Sequence, residues 1–119
     1  MPSPDRASLG AVALALLVLA AGTTFASDAA GDRALAAEQA FLEDRLAAAD
    51  CLDSYGTGEV VVSERARVVG VRPTGLVVDV RHPYALSTGR LEADAVAEAR
   101  YLVGPDAVRR LDGDEIDPC

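Results

Sequence analysis

The sequence predicts an α+β domain behind an N-terminal signal or anchor segment: one long helix packed on a three- to four-stranded antiparallel sheet, closed by a short C-terminal helical turn. Three observations predict it. No charged residue occurs from Ala7 to Ser27, between Arg6 and Asp28. A stretch rich in Ala, Leu, Glu and Arg follows, with apolar residues at helical spacing. Beyond Glu59 the chain turns valine-rich, with alternating patterns between turn signals. Of 119 residues, positions 1–27 belong to the export segment, and 28–119 are enough for a single domain at the small end of the usual range.

Within the first segment, Leu9 to Ala21 is a continuous apolar block of the length of a signal-peptide h-region, behind a weakly positive leader containing Arg6. Thr24-Phe25-Ala26 offers small residues at positions −3 and −1 of a cleavage site before Ser27. Taken whole, residues 7–27 would make about 30 Å of helix at 1.5 Å per residue, enough to cross a hydrocarbon core as an uncleaved signal anchor. The cleavage site tilts the choice slightly toward release. Either way the domain is placed outside the cytoplasm, because Arg6 and the amine favour the inside and acidic residues follow the segment. A buried helix of a cytosolic domain fits poorly, since no polar residue interrupts the block. No twin-Arg pair and no Cys near its end supports a Tat signal or a lipid-anchored Cys.

Asp32 to Asp50 has the composition of a helix, with Asp28 or Asp32 as cap and Leu35, Leu42, Leu46 and Ala49 along one face, Phe41 beside it. Glu38, Glu43, Asp44 and Arg45 are expected in solvent. Tyr55-Gly56-Thr57-Gly58 breaks the helix. Val60 to Val62 and Val68 to Val71 read as strand, out of phase with each other, so a bulge or bend is expected near residues 63–66. Arg72-Pro73-Thr74-Gly75 is a hairpin turn. Leu76 to His82 alternates cleanly, and His82-Pro83 is expected to end that strand because Pro lacks an amide donor. Tyr84 to Gly89 then reads as a connection. Glu92 to Val103 fits two periods: Ala93, Ala95, Ala97, Ala99, Tyr101 and Val103 alternate, while Leu91, Ala95, Ala99 and Leu102 also fall at helical spacing. Twelve residues of alternation ending in Tyr101-Leu102-Val103 favour strand. Gly104-Pro105-Asp106 is a break, Ala107 to Leu111 the expected helical turn, and the last residues an acidic tail.

Composition restricts the partners. Every basic residue is Arg, and the net charge is −8. Asp5 and Arg6 are the only charged side chains before Asp28, so the whole imbalance lies on the domain. Phosphates of nucleic acids and anionic lipids carry the same sign, which disfavours them as partners. Many acids, no Lys and few aromatics match protein composition in extreme halophiles: at molar salt the Debye length falls to about 3 Å and repulsion between carboxylates is screened. An acidic protein of a high-GC bacterium is the other origin of such a composition.

The chemistry-bearing residues are few. Cys51 and Cys119 in an exported chain read as a disulfide that ties the C-terminus to the exit of the helix. With His82 they form no metal-ligand spacing, so no metal and no cofactor are expected. His82 is the sole histidine and the one candidate general base, with Ser87, Thr88 and Asp79 near by. A lone histidine at a strand end is more often a packing residue, and no nucleophile elbow accompanies it. Tyr84 and Tyr101 read as packing aromatics. Asp112-Gly113-Asp114-Glu115-Ile116-Asp117 lacks calcium-loop spacing and reads as solvated tail, which Asp50 and Asp53 would join through the disulfide. Gly56-Thr57-Gly58 carries no phosphate-loop pattern.

The stretches RPTGLVVDVRHPY (72–84) and STGRLEADAVAEARYLV (87–103), with the closing Pro118-Cys119, resemble an uncharacterised family of small exported proteins of halophilic archaea. The resemblance implies no activity and carries over no functional residue. The order helix, hairpin, long strand is similar to cystatin-like arrangements, an analogy of fold that does not fix function. The expectation is a non-enzymatic module, secreted or membrane-held through residues 7–27, that binds a protein or small-ligand partner at the cell surface. The alternatives are a small hydrolase-like enzyme using His82 and a structural envelope component.

Overall fold

The computed structural model describes the backbone of residues 5–58 and 63–119, and side chains within these from Ala26 onward. One helix, α1 (Asp5–Ala47), precedes five strands: β1 (Ser54–Gly56), β2 (Arg65–Arg72), β3 (Gly75–Thr88), β4 (Leu91–Val103) and β5 (Val108–Gly113). All pairings are antiparallel; β3 and β4 form the centre, β5 borders β4, and β1 and β2 share the other side of β3. The expected α+β architecture with one helix on an antiparallel sheet therefore holds, with five strands among the described residues rather than three or four. Among the described residues no helix is long and apolar enough to cross a membrane. The apolar block Leu9 to Ala21 lies outside the residues whose side chains are described.

The sequence of α1 decides how it sits on the sheet. Ala30, Ala34, Glu38, Leu42 and Leu46 are all buried, four residues apart. Such a row is inclined to the helix axis, so α1 presents it obliquely. Two core regions result. Ala30 and Ala34 meet Val78, Val80, Ala99, Tyr101 and Val103, whereas Leu42 and Leu46 meet Ala97 and Ile116, with Phe41, Leu52 and Tyr84 beside them. Small residues at one end and leucines at the other fit a gap that widens along the helix.

Strand register then sorts the side chains. Leu76, Val78 and Val80 face α1 together with their cross-strand partners Val103, Tyr101 and Ala99. Residues 92–103 are strand, as the longer alternation indicates. The hairpin is present too: Arg72 pairs with Gly75 across Pro73-Thr74. Gly75 has φ 155°, and a Cβ there would overlap the Val103 carbonyl, so both backbone conformation and close approach require glycine.

Three local expectations fail, each for a physical reason. Strand β3 does not end at His82-Pro83 but runs on to Thr88, absorbing the supposed connection. On the side of the short strands, pairing stops at Arg65↔Arg81 and resumes at Gly56↔Ala85. Pro83 falls between the two, so no ladder on that side needs an amide from it. A bulge lies at Val69, between Val68↔Val78 and Gly70↔Val77, and pairing is regular at Arg65 and Ala66; the bulge or bend expected near residues 63–66 adjoins residues outside those described. No helical turn forms at Ala107 to Leu111: Val108 to Gly113 pairs with β4 instead, where its backbone groups and Val108 gain partners. Glu38, expected in water, is fully buried. The expected strand at Val60 to Val62 lies outside the described residues.

Candidate binding face

Register places two kinds of polar site on opposite faces of the sheet, one buried under α1 and one open. Under the helix, Tyr101 Oη donates to Glu38 Oε2 at 2.7 Å, and Arg110 Nε and Nη2 donate to the two Glu38 oxygens at 3.2 Å each. The Arg110 guanidinium also donates to the Asp114 carbonyl at 2.9 Å and stacks 4.0 Å from the Phe41 ring centroid. A Cβ on Gly113 would fall 2.6 Å from the guanidinium carbon, so this glycine makes room for the stack. Burial, reinforced by the bond to Glu38, pushes the Tyr101 phenol well above its ordinary pKa. The cluster joins α1, β4 and β5, has no solvent access at Glu38, and serves to lock the helix onto the sheet.

His82 is also inside. It is 1 % exposed, its Nδ1 lies 2.9 Å from the Pro83 carbonyl, and its Nε2 lies 3.3 Å from a Glu64 carboxylate oxygen. Ser87 is further along the same strand, where its hydroxyl donates to the Thr88 carbonyl at 3.3 Å. Asp79 points to the opposite face and pairs with Arg100. The structure thus does not assemble His82 with the hydroxyl and carboxylate residues that flank it in sequence. Tyr84 packs against the leucine-rich core region, and burial, with the charge of Asp114 second, raises its pKa.

Cys51 and Cys119 form the expected disulfide, with Cα atoms 5.9 Å apart across a separation of 68 residues. The tail it retains is not wholly solvated: Ile116 is buried between Leu42, Leu46 and Ala97. Among the described residues no group of His, Cys, Asp and Glu could hold a metal ion.

The open site is the face turned away from α1, a broad groove crossing four strands. Pairing aligns its charged residues in two rows. Arg67, Asp79, Arg100 and Asp112 make one; Arg65, Arg81, Glu98 and Asp114 make the other. Asp112 reaches this face because the register shifts between Arg100 and Tyr101, leaving Leu111 as an extra residue. Arg100 grips Asp79 through Nε at 2.6 Å and Nη2 at 3.0 Å, and Arg81 Nε lies 3.1 Å from Glu98. The bidentate Arg100 bonds hold the Asp79 carboxyl below its usual range, and partial burial opposes them. Asp114 accepts from the Glu98 amide at 2.9 Å. Within these two rows four guanidinium groups match four carboxylates, although the chain carries −8; Arg109, Asp94 and Glu92 lie on the same face outside the rows. Sequence reading missed the rows because they are assembled from four strands; the alternating polar positions of residues 65–67, 79–81 and 98–100 were the available signal.

Comparison with known proteins gives no match, whether to family models, to curated proteins or to solved structures.

Proposed function

We propose that this chain is an exported, non-enzymatic accessory module that works at the cell surface in concentrated salt and engages its partner through the open face of the sheet. The observation that carries this reading is the balanced double row of charges. On a chain that carries −8, those rows set exposed guanidinium groups next to carboxylates, a pattern suited to another protein surface. The Cys51–Cys119 disulfide agrees with an oxidising compartment, and the apolar residues 7–27 supply the route out. His82 is buried and does not line the open groove, which argues against the enzymatic alternative.

The test is crosslinking in intact cells with the wild-type chain and with Arg81→Glu, which reverses one charge on an exposed position. The reading expects one discrete crosslinked product, reduced several-fold in the variant. Equal labelling by both chains excludes this face, and a turnover that disappears in His82→Gln while the fold persists would restore the enzyme.

A further inference from the structure

We infer that two copies of this chain pair face to face through the open side of the sheet, about a two-fold axis parallel to the strands. The inference rests on reading that face as a binding surface and names its occupant.

The argument is the order of charges across the strands. From β2 to β5 one row reads Arg67, Asp79, Arg100, Asp112, and the other reads Arg65, Arg81, Glu98, Asp114. A two-fold axis along the strands, lying between two facing sheets, keeps each row opposite itself and reverses its order. Arg67 then meets Asp112 of the second copy, and Asp79 meets Arg100. In the other row Arg65 meets Asp114, and Arg81 meets Glu98. All eight positions face the opposite sign. The competing two-fold axis, perpendicular to the strands, lays each strand on itself and sets Arg65 over Arg67 and Asp112 over Asp114. A closed dimer of this kind uses one self-complementary patch, and facing sheets stand about 10 Å apart, a gap that Arg side chains reaching across can bridge.

Net charge points to the same occupant. Two copies at −8 each repel over most of their surfaces, whereas within these two rows four Arg match four acids. Asp79 and Arg100 are already paired within each copy, so the contacts that decide association are the outer columns: Arg65 and Arg67 on β2 against Asp112 and Asp114 on β5.

Charge exchange tests this on the full, oxidised chain by sedimentation equilibrium in density-matched detergent, with circular dichroism confirming each fold. Arg67→Glu sets a carboxylate opposite Asp112 twice per dimer, and Asp112→Arg sets a guanidinium opposite Arg67 twice; each variant alone is expected to associate about tenfold or more weakly than wild type. In an equimolar mixture the carboxylate introduced at position 67 of one copy meets the guanidinium introduced at position 112 of the other. The remaining native pair, Asp112 against Arg67, is intact, so the mixture regains the dimer. Because both variants keep residues 7–27, association through that segment would survive either change and would refute the inference, as would a wild-type chain that stays monomeric or a mixture that does not recover. A monomeric wild type that still gives the Arg81-dependent crosslink in cells refutes only the self-pairing and leaves the accessory role standing.

Discussion

Glu38 is a carboxylate without water, and its neighbours explain how that is tolerated. Tyr101 and Arg110 between them occupy both oxygens, so the desolvation cost is offset by charge-assisted hydrogen bonds. The pH dependence of stability follows. In the folded chain the Tyr101 phenol is held neutral by burial and by Glu38, so its folded pKa lies above the unfolded value of about 10. The unfolded state then binds fewer protons, and stability falls as pH rises. Its contribution is fully present below pH ~10 and is lost above it, by about 1.4 kcal/mol per pH unit at most. Chemical denaturation from neutral to strongly alkaline pH should show this loss in wild type. In Tyr101→Phe the curve starts about 1 kcal/mol lower, from the lost hydrogen bond, and declines less, the remainder coming from Tyr84, whose pKa is also raised. An unchanged alkaline decline in the variant would mean that Tyr101 does not carry the effect.

At the scale of elements, the helix and the central hairpins depend on a few positions where backbone and packing agree. Residues 91–103 were legible as a strand because their alternation is long and ends in β-favouring residues. Residues 107–111 were not legible, because a helical turn and a short edge strand have similar local cost and the neighbouring β4 decides between them. Pro83 misled for a related reason: a missing amide matters only where a partner strand would use it, and the split between β1 and β2 is a property of the assembled sheet. Glu38 could have been suspected, since it occupies the step between Ala34 and Leu42 in the four-residue row, although its partners lie 63 and 72 residues away. The hairpin gives the sharpest test. Gly75→Ala forces a side chain into positive φ and into the Val103 carbonyl, and is expected to cost about 1–3 kcal/mol in a thermal or denaturant melt. A neutral outcome would show that the β2–β3 turn can reshape without loss.

For the whole molecule, the disulfide and the surface charge set the conditions under which the domain persists. Joining Cys51 to Cys119 closes a separation of 68 residues, and loop-entropy reasoning assigns such a link on the order of 4 kcal/mol. In a domain this small that is a large share of the total. Reductant, or Cys51→Ser with Cys119→Ser, should therefore lower the denaturation midpoint by the equivalent of about 2–4 kcal/mol. It should also loosen the last residues first, since Ile116 is their one buried anchor among the described residues. Identical midpoints with and without reductant would remove the disulfide from the account of stability.

The apolar N-terminal block, the acidic surface, the pairing of two cysteines and the succession of one helix and a set of strands were determined by the sequence itself, because they rest on local composition and on period, which each stretch carries without reference to the others. Tertiary structure alone decided the burial of Glu38, the continuation of β3 through Pro83, the fifth strand and the balanced double row of charges. Each of these depends on residues from different strands or from the helix meeting across the sheet, and register between strands is fixed by the packed core and the bulges at Val69 and Leu111, not by any one segment.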